Sequence, residues 1–180
     1  SNASDAKGLL KMACRMNDPV LFMEHKGLYR QGYAATKEPD THYTLPFGKG
    51  RLVSKGKYLT LVTWGAMVQK SSEAVQELDL KEDTVEIIDL RTLNPIDFEI
   101  LDKSIKKTGK VLIVHEDNLT NGPGAEIAAI ISNKYFEYLD GPIRRIAAKD
   151  SPIPFNWIIE EKILPQTKDI LYAIEELLEY

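Results

Sequence analysis

The sequence predicts an α/β fold of three layers, in which helices cover both faces of a five-stranded, mostly parallel sheet with one antiparallel edge strand. Short β-branched apolar runs alternate with amphipathic helical patterns, and short turns join them. One of these runs, residues 110–114, is typical of a strand that is covered on both faces. Strand–helix–strand units of this kind require right-handed crossovers and a parallel sheet.

The stretch at residues 110–133 organises the rest of the chain. Its strand ends in the polar residues His115, Glu116 and Asp117, and a turn with the sequence Asn-Gly-Pro-Gly follows. Pro123 suits the first turn of a helix, and apolar residues at helical spacing come after it: Ile127, Ile130, Ile131 and Tyr135. In an open α/β sheet, ligands or partners usually meet the fold at such a junction.

The first 48 residues precede the regular alternation. We expect a helix over Ala6–Met16 and a short strand over Val20–Glu24, which together form the end of a preceding domain at residues 4–26. Residues 27–48 show no period and predict a linker that lies against a surface. Residues 1–3, Ser-Asn-Ala, are interpreted as a cloning scar.

Residues 49–180 are predicted to form the main domain. Strands at Arg51–Val53 and Tyr58–Thr63 are separated by four turn-forming residues, which predicts a hairpin and an antiparallel edge. Helices to about Leu78 and from Asp97, a good N-cap, to Gly109 flank a strand at Val85–Asp89. The last strand is expected at 143–147, and a final helix is expected to be capped by Thr167.

Composition and charge exclude several classes of function. The 180 residues are 43% hydrophobic and 28% charged, and no apolar run is long enough for a membrane span. The single Cys14 and the lack of a recognisable signal peptide favour the cytoplasm. Residues 151–180 hold six Asp or Glu against two Lys, which accounts for the whole net charge of −4. This acidic end argues against nucleic acid and favours a basic partner, with a solvated helix face as the alternative.

The turn at Gly122-Pro123-Gly124 is predicted to serve packing rather than phosphate binding. Position 127 is Ile where a dinucleotide fingerprint requires Gly, and Pro123 has no backbone N–H to offer an anion. His115 and Glu116 are candidates for an acid–base pair, but adjacent residues on a strand point to opposite faces. Three histidines without a ligand spacing make a transition-metal site improbable.

Several motifs in order resemble the β chains of 2-oxo acid dehydrogenases. The motifs are Ala6–Leu10 (AKGLL), Asp18–Lys26 (DPVLFMEHK), Leu61–Val68 (LVTWGAMV), Ile88–Pro95 (IDLRTLNP), His115–Ile127 and Asp150–Pro154 (DSPIP). The first two resemble the end of the pyrimidine-binding domain, and the others resemble the transketolase-type C-terminal domain. The branched-chain (2-oxoisovalerate) type is favoured, with pyruvate and acetoin relatives as alternatives.

The resemblance implies a parent enzyme that uses thiamine diphosphate and Mg²⁺ to decarboxylate a 2-oxo acid and transfer the acyl group to a lipoyl acyltransferase. The motifs that bind cofactor and metal, and the catalytic residues, lie upstream in such chains, so no catalytic, cofactor-binding or metal-binding residue is assigned here. The implied partners are the α and β chains of the same enzyme and the basic peripheral binding domain of the acyltransferase.

Three groups of residues are therefore candidates for functional roles. Partner docking is assigned to the acidic end, Glu175, Glu176, Glu179 and the Tyr180 carboxylate. A homodimer interface is assigned to the apolar residues Phe155, Trp157, Ile158 and Ile159. The strand–helix junction comprises His115, Glu116, Gly122, Gly124 and Glu126. The rival interpretations are a transketolase-like enzyme, such as a deoxyxylulose phosphate synthase, and a stand-alone protein-binding module.

Overall fold

The structure is a computed structural model that describes residues 1–78 and 83–180. The strands found in these residues are β1 (Arg51–Ser54), β2 (Leu59–Thr63), β3 (Val85–Asp89), β4 (Val111–Asn118) and β5 (Arg144–Ala148). The α-helices are α1 (Ala3–Ala13), α2 (Met67–Glu77), α3 (Phe98–Thr108), α4 (Pro123–Tyr135), α5 (Trp157–Glu160) and α6 (Thr167–Leu178). Short 3₁₀ turns lie at Lys26–Leu28, Gly32–Ala34 and Phe136–Tyr138.

The strands form one sheet in the order β1-β3-β2-β4-β5. Strand β2 pairs in parallel with both β3 and β4, and β4 pairs in parallel with β5. Strand β1 pairs with β3 in the antiparallel direction at one edge. The predicted fold class, a five-stranded mostly parallel sheet with one antiparallel edge strand, is confirmed.

The predicted hairpin between the first two strands is wrong, because the antiparallel partner of β1 is β3 rather than β2. The connection crosses the amino end of β3, where the N–H groups of Lys57 and Tyr58 donate to the Thr84 carbonyl at 3.3 and 3.1 Å. Glycine is required at position 56, since a Cβ there would lie 2.0 Å from the Glu86 backbone nitrogen. Both edges of β2 are already paired with parallel neighbours, which leaves no place for β1 beside it.

Helices cover the two faces of the sheet in pairs. Helices α2 and α6 pack on one face, over Leu59, Leu61 and Val114, among others. Helices α3 and α4 pack on the other face, over Val62, Ile88 and Ile113. Strands β2 and β3 are buried at every position, as expected for strands with helices on both sides. Burial of each aliphatic side chain contributes about 1.5–3 kcal/mol to the free energy of unfolding, so the two cores together stabilise the sheet.

The helix-capping predictions are confirmed for α3 and corrected for α6. Asp97 Oδ1 accepts hydrogen bonds from the N–H groups of Glu99 and Ile100 at 3.1 and 3.3 Å, and Gly109 ends α3 with a φ of +66°. The N-cap of α6 is Gln166, not Thr167, and the Gln166 N–H donates to Asp169 Oδ2 in the first turn at 2.9 Å. Strand β4 also extends beyond Val114 to Asn118, and β5 begins one residue later than predicted, at Arg144.

The region before the main domain differs most from the sequence prediction. Helix α1 covers Ala3–Ala13 rather than Ala6–Met16, because Asn2 caps it by accepting a hydrogen bond from the Asp5 N–H at 2.9 Å. The strand predicted at Val20–Glu24 is wrong: these residues form no ladder in the structure, and Leu21 and Met23 are exposed. An apolar run of this length needs a neighbouring strand to satisfy its backbone, and the described chain provides none.

The linker predicted at residues 27–48 returns to α1. The Leu45 N–H donates to the Gly8 carbonyl at 3.1 Å, and Leu45 is buried. A Cβ at Gly8 would lie 2.6 Å from Tyr43 Cε1, so this glycine lets the linker lie close against the helix. The domain boundaries at residues 4–26, 27–48 and 49–180, and the scar at residues 1–3, stay predictions.

Candidate functional site: the carboxyl edge of the sheet

The chain leaves the carboxyl ends of β2 and β4 toward opposite faces of the sheet. The turn after β2 leads to α2, which packs on the face shared with α6, and the turn after β4 leads to α4 on the other face. Adjacent parallel strands whose connections diverge in this way form the crevice where open α/β sheets usually bind ligands. The residues at the carboxyl ends of β2 and β4 therefore determine whether this edge of the sheet can bind a ligand.

The crevice is filled by side chains of the chain itself. The ring of Trp64, which follows β2, stacks on the imidazole of His115 in β4, with ring centroids 5.2 Å apart and an interplanar angle of 5°. His115 is fully buried. Its Nδ1 and Nε2 atoms are without a hydrogen-bond partner in the part of the chain that the structure describes. Burial lowers the pKa of this imidazole, Asp117 opposes the shift, and Arg145 adds to it.

The glycine turn gives the imidazole its space. A Cβ at Gly124 would lie 2.2 Å from His115 Nε2, and a Cβ at Gly122 would lie 2.9 Å from His115 Cε1. Pro123 occupies the first turn of α4, and Glu126 lies exposed in the same turn. Of the predicted junction residues, the structure thus brings together His115, Gly122 and Gly124, and this contact has the packing role that the sequence predicted for the turn.

Glu116 has a different partner from its neighbour in the sequence. Its Oε2 lies 2.9 Å from Nε2 of His25, a residue of the segment that follows α1, and both side chains are partly buried. The hydrogen bond with Glu116 raises the pKa of His25, and partial burial of the ring opposes the shift. His115 and Glu116 thus do not form an acid–base pair, because the first stacks on Trp64 and the second binds His25. Sequence reasoning missed His25, since nothing in its local sequence marks it as the partner of a strand so far along the chain.

A second polar cluster lies at the carboxyl end of β3. Arg91 Nη2 lies 2.8 Å from Asp5 Oδ1 of α1, and both side chains are largely buried. Asp89 accepts hydrogen bonds from the Arg91 N–H at 3.0 Å and from Arg51 Nη2 at 3.1 Å. Arg91 has a φ of +60°, which an L-residue adopts only where its surroundings hold it there. This cluster fixes α1 to the sheet, and sequence patterns gave no signal for it.

The acidic end carries less unpaired negative charge than its sequence suggests, because one of its carboxylates forms an ion pair. Glu176 binds Arg144 of β5, which lowers the pKa of the carboxyl group and raises the pKa of the guanidinium group. Both side chains line a cavity of about 390 Å³ between β5 and α6, beside Arg145. Glu175, Glu179 and Tyr180 are exposed. All four predicted docking residues are therefore exposed, and one of them, Glu176, is paired with Arg144.

The predicted interface residues form an exposed apolar segment. Phe155 is fully exposed, and Trp157, Ile158 and Ile159 each expose about half of their area or more. Asn156 caps the short helix α5 by accepting a hydrogen bond from the Ile158 N–H at 2.9 Å, which orders the segment without burying it. Exposed apolar side chains in such a cluster are typical of interaction surfaces.

Two observations on the described residues bear on the thiamine diphosphate and Mg²⁺ that the resemblance implies for the parent enzyme: the amino end of α4 does not suit a diphosphate, and no carboxylate or imidazole cluster suits the metal ion. At the amino end of α4, Pro123 lacks an N–H and the Ala125 N–H already donates to the Gly122 carbonyl at 2.9 Å. Within residues 1–78 and 83–180, no three His, Cys, Asp or Glu side chains converge as a metal site would require. We assign no reaction step to these residues. None of the helices in the same residues is long and apolar enough to cross a membrane.

The sheet order, with helices on both faces, defines a doubly wound α/β domain. The chain belongs to the family described as transketolase, C-terminal domain, which matches residues 48–170.

The chain is also similar to named proteins along its whole length. It is 39% identical over 180 residues to the pyruvate dehydrogenase E1 component subunit beta of Staphylococcus aureus, covering 100% of this chain and 54% of that protein. The same identity and coverage hold for the corresponding subunit of Staphylococcus epidermidis. The chain thus spans about half the length of the curated relatives it matches. A solved structure described as a split gene transketolase, inactive beta4 tetramer, matches 81% of this chain and 47% of its own, with 26% identity and a TM-score of 0.65.

Proposed function

We propose that the chain is the C-terminal assembly and docking part of the β subunit of a thiamine diphosphate-dependent 2-oxo acid dehydrogenase. The observation that carries this proposal is the 39% identity to E1 β subunits across all 180 residues. The parent enzyme decarboxylates a 2-oxo acid and transfers the acyl group to a lipoyl acyltransferase. Thiamine diphosphate and Mg²⁺ are held by other parts of that enzyme, and this chain contributes contacts with the α and β chains.

The acidic end of α6 is the proposed docking surface for the basic peripheral binding domain of the acyltransferase. Glu175, Glu179 and the Tyr180 carboxylate are exposed on its last turn and beyond, so they are free to meet a cationic surface. Glu176 contributes less, because Arg144 already neutralises it. Complementary charge would speed association and make binding weaken with salt.

The exposed apolar segment at Phe155–Ile159 is the proposed contact with a second copy of the chain. Its aromatic and aliphatic side chains resemble the anchors that dominate protein interfaces. A structure similar to this chain is described as a split gene transketolase, inactive beta4 tetramer, which supports self-association of chains that carry this domain.

A branched-chain 2-oxo acid is the first candidate substrate of the parent enzyme, on the motifs noted in the sequence. Pyruvate is the second candidate, because the relatives that align with the whole chain are named as pyruvate dehydrogenase subunits. The ratio of kcat/KM for 3-methyl-2-oxobutanoate to that for pyruvate, measured on the parent enzyme, separates the two.

Calorimetry of the chain with two titrants tests the proposal. The peripheral binding domain of the acyltransferase should bind, and binding should weaken as the ionic strength is raised. Thiamine diphosphate with Mg²⁺ should give no binding heat. Replacing Glu175 and Glu179 with Gln should weaken docking severalfold, whereas replacing Glu160 and Glu161 with Gln removes the same charge elsewhere and should have a smaller effect. Tight binding of the cofactor, or equal effects of the two double variants, would contradict the proposal.

A further inference from the structure

His115 is an ionisable side chain that the protein encloses completely. None of its surface is exposed, and among the described residues its Nδ1 and Nε2 atoms have no hydrogen-bond partner. A neutral imidazole carries one N–H donor and one acceptor nitrogen, whereas the protonated ring carries two donors and a positive charge. A proton added to the enclosed ring would therefore create a buried charge without an acceptor, so the enclosed ring is stable in its neutral form.

The residues that enclose this ring belong to the sheet and to the start of α4. Trp64 stacks on it with ring centroids 5.2 Å apart, and a Cβ at Gly124 would lie 2.2 Å from its Nε2 atom. A Cβ at Gly122 would lie 2.9 Å from Cε1 of the same ring. These contacts all lie within residues 48–170, the stretch that matches the family domain. The burial of His115 is thus a property of that domain and does not rest on the region that precedes it.

Two charged side chains act on the imidazole in opposite directions. Arg145 of β5 lowers its pKa and Asp117 of β4 raises it, but burial has the largest effect and lowers the pKa. Glu116, the neighbour of His115 in β4, already binds His25 at 2.9 Å. The carboxylates near the ring thus offset only part of the cost of charging it.

Helix α4 and Trp64 also influence a charge at this position. The first turn of α4 lies against the ring, and the positive end of the helix dipole disfavours a second positive charge there. The acidic residue of that turn, Glu126, is exposed to solvent. The face of Trp64 would attract an imidazolium through a cation–π contact, but this attraction is smaller than the penalty for burying an unpartnered charge. Protonation of His115 therefore favours a state in which the ring has left its enclosure.

We propose that His115 is an acid-sensitive plug, which closes the crevice between β2 and β4 as a neutral ring and leaves the stack with Trp64 when it is protonated. Departure of the ring removes the contact of Gly122 and Gly124 with β4, so the junction between β4 and α4 opens at the edge where sheets of this class meet their ligands. This inference is independent of the proposed function, because it rests on contacts within the chain.

Acid shifts the plug toward its open state, because the open ring binds a proton more readily than the closed ring. In the open state the ring meets solvent and titrates near the ordinary histidine value, about 6.5, whereas its pKa in the closed state is lower. Closure is therefore most stable above about pH 6.5, and this stability is lost as the pH falls through the closed-state pKa. Over that range opening takes up one proton, so its equilibrium constant rises by up to about tenfold per pH unit.

Hydrogen exchange of the full chain tests the plug. Backbone exchange of residues 115–127 is measured from about pH 7.5 to about pH 5.5, on either side of the ordinary histidine pKa, and each rate is divided by the intrinsic rate at that pH. Protection of these amides should fall about five- to tenfold over this range, whereas the amides of residues 101–108 in α3 should keep theirs. The His115 ring resonances, followed by NMR, should titrate below 6.5, the ordinary histidine value.

Three variants distinguish the plug from a general effect of acid. His115→Phe keeps an aromatic ring beside Trp64 but cannot titrate, so its junction should not lose protection in acid. Asp117→Asn keeps the oxygen that accepts from the Asn118 N–H at 2.7 Å but removes a charge that favours the proton, so it should lower the pKa of His115. His25→Gln removes a second histidine at this edge and should keep the original exchange profile.

Several outcomes would overturn the proposal. They are a His115 pKa at or above 6.5, protection of residues 115–127 that does not change with pH, and an equal loss of protection in α3 or in His115→Phe. If His115→Phe does not fold, the NMR titration and its downward shift in Asp117→Asn still separate a plug that must be neutral from a histidine that keeps its proton in place.

Discussion

At the scale of single residues, His115 packs against the turn because Gly122 and Gly124 have no side chains that would clash with its ring. Gly124→Ala would place a Cβ 2.2 Å from His115 Nε2, in a position where the ring is held by Trp64. Overpacking a rigid core costs about 1–3 kcal/mol, which exceeds the gain of up to about 1 kcal/mol from alanine in a helix. We expect a net loss of about 1–2 kcal/mol in the free energy of unfolding, measured by urea denaturation.

Two further variants show whether that loss comes from the clash. Gly32→Ala adds a Cβ with nothing within 4 Å, so its unfolding free energy should change by less than about 0.5 kcal/mol. In a His115→Ala background, Gly124→Ala should cost little, because the ring that it would meet is gone. A full loss in that background would mean that the glycine is needed for its backbone rather than for its space.

Local sequence could predict some of these residues and not others. The packing role of the Gly122–Gly124 turn followed from residues within the turn, because Pro123 and Ile127 rule out the common anion-binding geometry. The partner of Glu116 could not be predicted in the same way. His25 reaches it only after the chain has folded back, and no local pattern of residues encodes such a contact.

At the scale of secondary-structure elements, α1 is held to the sheet by an ion pair that solvent reaches poorly. Asp5→Asn keeps the size of the side chain but leaves the charge of Arg91 largely buried without its partner. Breaking buried pairs costs about 3–5 kcal/mol, and the partial exposure of Arg91 places the expected loss near about 3 kcal/mol. Hydrogen exchange should show α1 opening more often while β4 keeps its protection, and urea denaturation gives the change in free energy.

The matched control for this prediction breaks an exposed ion pair made by a lysine of the same helix. Glu38→Gln removes the partner of Lys7, which forms a pair in which the glutamate side chain is 84% exposed. Exposed pairs of this kind contribute little, so neither α1 exchange nor the unfolding free energy should change measurably. If Asp5→Asn behaved like Glu38→Gln, the Arg91 contact would not be what anchors the helix.

The order of helices and strands was predictable because periodicity and caps act within short windows. The capping of α3 by Asp97 and its end at Gly109 are examples in which a single residue sets the boundary. The pairing of β1 was not predictable from the four-residue connection. Such a connection suits a hairpin equally well, and the choice depends on β3, whose residues come much later in the chain. The strand expected at Val20–Glu24 failed for the same reason, since a strand needs a neighbour.

At the scale of the whole molecule, the exposed apolar segment predicts self-association. Replacing both Phe155 and Trp157 with Ser should weaken the dimer at least about tenfold, because aromatic anchors dominate the energy of interfaces. Sedimentation velocity over a range of concentrations measures the change. The unfolding free energy of the monomer should stay the same, since both side chains are exposed in the single chain.

Phe136→Ser, at another exposed aromatic residue just after α4, should leave the association unchanged. A strictly monomeric unmodified chain, or an equal effect of Phe136→Ser, would show that the segment is not the contact, whereas a selective effect would identify it as the surface that joins two copies.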